Sequence, residues 1–334
     1  MLKKKIIFFR KLSSVGGPSS FQIKFINWLK KNKVDFDFLK INNIFKKKIL
    51  FINAGTFNLP ILFFSLFYKT KLVQRLDGFY GSSNIGINTA NFKSYLINII
   101  MQFIRKYLAD HVIYQSYTSK KLWDKNFKKV KTSYSIIHNP SFGKYLDSKI
   151  KFKFKSLFNI VIVEGNLENN SYTQKILDKI YINSQKLKKI KNIYIFGNID
   201  STLKKKLLKI NKFILKGPVS HKNLKSFYNK NNIIFFGIEC NPCCSNSIIE
   251  ANSYGIPSIT LNTGSYKELI KKSGIQINFN SIDDLNLNQK FLNALSKIIK
   301  NYQKYSLLSY KNSIKFDPDY IFSKYVNSIA KLIR

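Results

Sequence analysis

The residues best suited to bind a ligand or carry out chemistry lie in the stretch Cys240–Pro257, which reads CNPCCSNSIIEANSYGIP. Its spacing predicts a polar loop and then a helix that begins at Asn246 or Ser247. The start of such a helix offers unsatisfied N–H groups and the positive end of its dipole to phosphate oxygens. Glu250 follows about one turn later, where a carboxylate either accepts two adjacent ribose hydroxyls or merely complements the helix dipole.

A second anion site is predicted at Gly16 and Gly17, which follow the first apolar run of the chain. Paired glycines let backbone N–H groups approach a ligand closely, and the next helix offers its N-terminus, so a diphosphate would suit this pocket. The alternative is a tight strand-to-helix turn in which Ser19 or Ser20 caps the helix. The spacing is not that of the G-x-G-x-x-G dinucleotide fingerprint.

Arg75 and Asp77 sit at the end of an apolar strand pattern. As catalytic residues, Asp77 would orient or deprotonate an acceptor hydroxyl, and Arg75 would bind an acidic group or a phosphate. As structural residues, the two would pair with each other and close the turn at Gly78. The catalytic interpretation is preferred.

Three cysteines, Cys240, Cys243 and Cys244, lie close together, and no histidine is near them in the sequence. An odd count argues against a disulfide framework and favours a reducing cytoplasm. A zinc site would need a distant ligand such as His138 or His221, and no metal site is predicted.

Short apolar runs alternate with longer helical patterns from end to end, which is typical of βα units around a parallel sheet. The first series of predicted strands is Ile6–Arg10, Ile49–Asn53, Leu72–Leu76, His111–Gln115 and Tyr134–His138. The second series is Asn159–Glu164, Asn192–Phe196, Lys212–Leu215, Ile233–Phe236 and Ser258–Leu261. The pattern predicts an α/β protein with two Rossmann-like domains that face each other across a cleft.

The predicted domain organisation is an acceptor-binding domain over residues 1–140, a linker over 141–158 and a donor-binding domain over 159–316. The final pattern, residues 317–334, is helical and places Ile321, Tyr325 and Ile329 on one face. This helix is expected either to pack back on the first domain or to close the second.

These features together resemble the retaining, family-four GT-B glycosyltransferases, in particular members whose donor loop reads close to P-C-S-N-S-x-x-E-A. The resemblance covers nearly the whole chain. The other segments that carry it are Gly16–Gly17, Arg75–Gly78, Ala109–Ile113, His138–Pro140, Val163–Leu167 and Gly264–Leu269.

The resemblance implies that Glu250 holds the nucleotide ribose, that the helix start binds the donor diphosphate, and that the paired glycines close over it. Two positions depart from the family pattern. Pro242 stands where the family has an acidic residue, with Glu239 the nearest acid upstream, and no cation follows the first strand of the second domain. Lys175 or Lys216 would substitute for that cation. The predicted donor-binding residues are Gly16, Gly17, Gly165, Asn166, Lys216, Asn246, Ser247 and Glu250.

The chain carries 57 Lys and Arg against 17 Asp and Glu, a formal net charge of +40. Its lysines are dispersed rather than clustered on one element, so a nucleic-acid partner is not expected. A positive potential of this size attracts anionic lipid head groups and phosphorylated ligands.

The function expected from the sequence is a cytoplasmic glycosyltransferase, peripheral on the inner face of the cell membrane. It would move a sugar from a nucleotide-diphosphate donor to a glycan or lipid-linked acceptor in cell-surface polysaccharide synthesis, with retention of configuration and without a metal or cofactor. The alternatives are a nucleic-acid or polyanion-binding protein and a non-catalytic homologue that binds nucleotides.

Overall fold

The computed structural model describes residues 5–11, 17–40, 49–68, 70–76, 78–79, 92–141, 157–167, 171–183, 187–229, 232–239, 241–278, 284 and 286–332. The chain forms two compact units. The first contains the described residues up to Ser141 together with the chain from Lys315 onward, and the second contains those from Leu157 to Ile314.

The described strands of the first unit form one parallel sheet in the order β2-β1-β3-β4-β5-β6. Its strands are β1 Ile6–Phe8, β2 Phe36–Phe38, β3 Ile49–Asn53, β4 Lys71–Leu76, β5 His111–Tyr114 and β6 Ser133–Ile136. Helices cover both faces, so the inner strands are buried on both sides, and β3 is buried over its whole length. The predicted strand at Ile49–Asn53 coincides with β3.

The helices of the first unit pack on the two faces of this sheet. They are α1 Gly17–Lys31, α2 Leu59–Phe67, α3 Phe92–Phe103, which runs into a π-helical turn at Ile104–Leu108, α4 Tyr117–Phe127 and the last helix of the chain, Pro318–Ala330. The last helix therefore belongs to the first unit, which decides between the two placements that the sequence left open.

Aromatic packing holds the last helix against α1. The rings of Phe25 and Phe322 stack with centroids 5.0 Å apart, and the Trp28 indole donates a hydrogen bond of 2.8 Å to Asp319. Tyr325 is completely buried in the same cluster. The four-residue spacing in the sequence therefore predicted the buried face of this helix.

The second unit repeats the architecture, with a parallel sheet in the order β12-β11-β10-β7-β8-β9. Its described strands are β7 Phe158–Asn166, β8 Ile190–Asn198, β9 Phe213–Gly217, β10 Ile233–Gly237, β11 Ser258–Leu261 and β12 Gly274–Ile277. Its described helices are α5 Ser171–Asn183, α6 Ser201–Leu207, α7 His221–Tyr228, α8 Asn246–Ser253, α9 Tyr266–Ile270, α10 Leu287–Lys300 and α11 Tyr302–Ser313. A 3₁₀ turn, Ile314–Phe316, joins α11 to the last helix.

Candidate functional site

The strand order of the second unit fixes where a ligand would bind. From β7 the chain moves to β8 on one side of the sheet and returns to β10 on the other side. In open parallel sheets, ligands bind in the crevice at the carboxyl ends of the two strands where the direction of winding reverses. In this unit that crevice lies between β7 and β10.

Helix α8 begins at this crevice, immediately after the loop that follows β10. The helix starts at Asn246, as predicted, with Ser245 at the N-cap. The Ser245 side chain makes no capping hydrogen bond, and its hydroxyl lies 2.9 Å from that of Ser247 instead. By contrast, Asp200 caps the helix that follows β8 with a hydrogen bond to the Leu203 amide. The N-terminus of α8 therefore lacks the side-chain cap that would compete with a bound anion.

Glu250 lies one turn into α8 and is 5% exposed. Its carboxylate is close enough to Tyr228 to influence the tyrosine hydroxyl. Burial is the main reason that the pKa of Tyr228 is raised well above its ordinary value, and the charge of Glu250 adds to that shift. Glu250, the residue predicted to hold the ribose, is thus buried in the first turns of α8.

Two further carboxylates, Glu164 and Glu239, meet at the crevice. Glu164 lies near the end of β7, where one extra residue interrupts the pairing with β8 between Val163 and Asn166. Glu239 follows the neighbouring strand β10. Such a bulge re-aims the side chains next to it and is common beside functional sites.

Burial disfavours the charged forms of both carboxylates and so raises the pKa of each. Burial raises the pKa of Glu239 to about 7. The pKa of Glu164 is raised well above its ordinary value, first by burial and then by the negative charge of Glu239. The Oε1 atom of Glu164 is buried without a hydrogen-bond partner. Sequence reasoning noted each residue but missed the pair, although both acids end apolar strands of the same sheet.

The loops after β10 and β11 fix the floor of this crevice. The Ser265 amide donates a hydrogen bond of 2.8 Å to the Pro242 carbonyl. Gly264 adopts a positive φ of 55°, and a Cβ atom at this position would lie 2.4 Å from the nitrogen of Pro242. The Glu239 amide donates to the Tyr266 hydroxyl over 3.1 Å. Pro242, which replaces the acid of the family pattern, is therefore a packing residue.

The structure brings some of the predicted donor-binding residues together and separates one. Gly165 and Asn166 form the end of β7, next to the crevice. Lys216 lies near the end of the edge strand β9, two strands away from β7. Because adjacent strands are about 4.8 Å apart, this places Lys216 roughly 10 Å from β7 and further from α8. Its role in binding the diphosphate stays a prediction. Cys240 lies outside the described residues.

In the first unit the winding direction reverses between β1 and β3, and a small pocket lies there. Gly17 is the first residue of α1, and Asn53 at the end of β3 donates a hydrogen bond of 2.8 Å to the Pro18 carbonyl. Gly16 and Asp77 lie outside the described residues. The residues that line the pocket are Phe9, Arg10, Gln22, Phe51, Ile52, Asn53 and Gly55.

Arg75 is 1% exposed, which argues against the catalytic role preferred for it from the sequence. Its guanidinium donates hydrogen bonds of 2.7 Å to Asn53 and to Asn139, and of 3.2 Å to the Tyr325 hydroxyl. It also lies 3.9 Å from the centre of the Phe21 ring. A side chain enclosed in this way stabilises the carboxyl ends of the strands and does not contact a substrate.

Solved structures share this architecture over nearly the whole chain. The chain is similar to the sucrose-phosphate synthase of Thermosynechococcus elongatus, with 10% identity, a TM-score of 0.70 and 99% of each chain covered. The fold is that of the GT-B glycosyltransferases. The predicted fold class is therefore confirmed.

Two further structures with this fold contain nucleotide. Anabaena HepE, in complex with UDP and glucose, has 12% identity and a TM-score of 0.67, with 98% of this chain and 100% of that chain covered. The pneumococcal O-GlcNAc transferase GtfA, in complex with UDP and GlcNAc, has 14% identity and a TM-score of 0.66 over 86% of this chain. The match covers 57% of the length of that transferase. Neither a family profile nor a curated protein sequence matches the chain.

The described residues contain no group of three or more His, Cys, Asp or Glu side chains placed to hold a metal ion. No helix in the described part of the chain is both long enough and apolar enough to cross a membrane.

Proposed function

We propose that this protein is a glycosyltransferase that takes its sugar from a nucleotide-diphosphate donor. The observation that carries the proposal is the N-terminus of α8, which lacks a side-chain cap and opens at the β7 and β10 crevice. Backbone N–H groups and the positive end of the helix dipole bind the donor diphosphate there. The structures of HepE and GtfA were solved with UDP, so UDP is the first nucleotide to test.

The proposed roles of the donor-site residues follow from their positions. Asn246 and Ser247 present their N–H groups to the diphosphate, and the Glu250 carboxylate accepts the ribose hydroxyls. Gly165 and Asn166 line the opposite side of the crevice at the end of β7. Departure of the nucleotide leaves negative charge on its terminal phosphate, and fixed N–H dipoles aimed at that charge stabilise the transition state.

We extend the proposal to a retaining reaction in which these dipoles, rather than a metal ion, neutralise the leaving phosphate. The donor is a substrate, and no further cofactor is part of the proposed mechanism. The acceptor is a glycan or a lipid-linked glycan of the cell surface. It approaches the crevice between β1 and β3 of the first unit, where the exposed Arg10 offers a cation to an acidic or phosphorylated acceptor.

Two measurements on the purified protein test the proposal. The first is thermal stabilisation by UDP, GDP, CDP and dTDP, since a ligand that binds only the folded state at 100 times its Kd adds about 2.7 kcal/mol. The second is release of free sugar or transfer product from the matching nucleotide sugars, with the anomeric configuration read by NMR. No stabilisation by any of these nucleotides and no donor turnover would contradict the proposal.

Substitution of Glu250, compared with a control substitution, tests whether this carboxylate binds the ribose or whether any lost carboxylate of the unit lowers activity. Glu250→Ala is expected to lower turnover by about 100-fold or more, because a polar contact that positions the donor is lost from a buried site. Asp178→Ala removes a carboxylate of the same unit that pairs with Lys206 on the surface, and it serves as the matched control. Full activity of the Glu250→Ala variant would mean that Glu250 does not bind the donor.

The alternative of a non-catalytic homologue is favoured by one observation. Pro242, at the position of the family's sugar-contacting acid, is buried and packed against Gly264. Stabilisation by a nucleotide together with neither transfer nor hydrolysis of any nucleotide sugar would select this alternative.

A further inference from the structure

Helices α2 and α3 leave large apolar side chains exposed on the first unit. Among the described residues, nine of the seventeen exposed large apolar side chains fall between Phe57 and Tyr107. Phe67 is 82% exposed. We call six of these side chains the aromatic patch: Phe57, Phe63, Phe64, Phe67, Tyr95 and Tyr107. Soluble proteins rarely leave contiguous apolar surface open unless it meets a partner or a membrane.

The patch is continuous across the two helices. Tyr95, Ile99, Phe103 and Tyr107 follow a spacing of four residues, which places them on one face of α3 and the turn that extends it. The Phe103 ring lies 5.3 Å from that of Tyr107 and 6.1 Å from that of Phe63 on α2, measured between ring centroids. These ring contacts join Phe63 of α2 to Phe103 and Tyr107 at the end of α3.

The fold does not need this surface for its own core. Helix α2 is anchored on the sheet by Leu62, which is buried with Ile52, Leu72 and Ile104. The outward side chains Phe64 and Phe67 lie beyond this contact and are 58% and 82% exposed. These side chains stay exposed to water in the folded unit, so burying them against another surface would lower the free energy further.

The sequence around the patch is basic. Residues 57–108 contain six basic residues and one acidic residue, Asp77. Of the basic residues, Arg75 and Arg105 are buried and Lys71 pairs with Asp110. Helices α2 and α3 contain no Asp or Glu. The exposed Lys106 places its ammonium 4.5 Å from the centre of the Tyr107 ring, where a basic and an aromatic group share one surface.

We propose that the aromatic patch docks this protein on an anionic lipid bilayer. The phenylalanines enter the boundary between head groups and acyl chains, while the tyrosines and Lys106 remain at head-group level. The net charge of +40 attracts the negative surface of the bilayer. The same charge opposes pairing with a second copy of the chain. The aliphatic Leu96 and Ile99, exposed on the same helix, add surface that fits hydrocarbon.

Vesicle flotation tests the proposal with the full chain at physiological ionic strength. The wild-type chain is expected to float with vesicles of phosphatidylglycerol and phosphatidylcholine, and to float poorly with phosphatidylcholine alone. Phe64→Ser/Phe67→Ser should lower the partition coefficient at least about tenfold, since two exposed phenyl groups are removed. The control Ile23→Ser/Tyr320→Ser changes two exposed apolar residues on α1 and the last helix, outside the patch, and should bind like the wild type.

A direct probe keeps the test decisive if either double variant folds poorly. Phe67→Trp places a fluorophore on the most exposed side chain of the patch, and its emission should shift to the blue and be quenched by brominated lipid. Equal flotation of the wild type and the patch variant, with no quenching of the indole introduced by Phe67→Trp, would overturn the proposal. It would also be overturned if the patch variant abolished a dimer, or abolished binding of single-stranded RNA, while vesicle binding was absent throughout.

Discussion

The guanidinium of Arg75 donates a hydrogen bond of 2.7 Å to the side-chain oxygen of Asn139, a residue 64 positions further along the chain. Arg75 lies at the end of β4, and Asn139 follows β6, so the bond ties together two loops at the carboxyl edge of the first sheet. Tyr325 of the last helix joins the same network through its hydroxyl. The arginine is thus a cross-link between distant parts of the unit.

Replacing Arg75 should therefore reduce stability. Arg75→Met keeps much of the side-chain volume but leaves the amide oxygens of Asn53 and Asn139 without this donor, at a cost of about 3 kcal/mol. For a chain of 334 residues we expect the melting temperature to fall by roughly 4 °C. Arg10→Met, at an exposed arginine of the same unit, should change it little. An Arg75→Met protein that melts like the wild type but has lost turnover would instead indicate a role at the substrate.

The sequence predicts the inner strands well because each is a short apolar run that must be buried on both faces. Ser258–Leu261 coincides with β11. Two strands were not predicted from the sequence. They are Phe36–Phe38 and Gly274–Ile277, which are short and lie at sheet edges. Edge strands lack a continuous apolar signal, since only one neighbour and part of one face cover them.

In the candidate site, too, the features that depend on neighbouring residues were predicted, and those that depend on distant residues were not. The start of α8 at Asn246 was predicted because capping residues and the apolar period are local features. The burial of Arg75 was not predicted, since its partners lie 22, 64 and 250 residues away. The pairing of Glu164 with Glu239 depends on which strands are neighbours, and a single sequence does not state the strand order.

The Glu239 carboxyl should make stability fall as pH rises. Its pKa is about 7 in the folded protein against an ordinary value of 4.5, so folding favours its protonated form. Between these pH values the unfolded chain ionises while the folded chain holds its proton, and the free energy of unfolding decreases with rising pH. Glu239→Gln mimics the protonated acid and should remove up to about 3 kcal/mol of this change between pH 5 and pH 8.

Urea unfolding across this pH range measures the effect as the difference between wild type and variant. Asp178→Asn, which changes a surface carboxylate of the same unit, should show the wild-type slope. Parallel curves for the wild type and Glu239→Gln would mean that the carboxyl does not hold its proton at neutral pH.

Charge at the start of α8 should control nucleotide binding. Ser247→Asp places a carboxylate in the first turn, where the diphosphate is proposed to bind, and repulsion between the two should weaken UDP binding at least about tenfold. Ser201→Asp makes the same change in the first turn of α6, which Asp200 already caps. Isothermal titration calorimetry compares the two variants. Equal UDP affinity in the two variants would mean that the diphosphate does not bind at the N-terminus of α8.

Gly264 should be the least replaceable glycine of the crevice. Gly264→Ala combines a positive φ of 55° with a Cβ atom only 2.4 Å from the nitrogen of Pro242, so the loops after β10 and β11 must separate. We expect a loss of about 3 kcal/mol or more, since both backbone strain and a clash with the chain are introduced. Gly217→Ala is the matched control, because its φ is 63° but nothing lies within 4 Å of the added atom. That variant should lose only about 1–2 kcal/mol, from backbone strain alone. Urea unfolding of the two variants compares the costs, and equal losses would mean that contact with Pro242 does not hold the loops together.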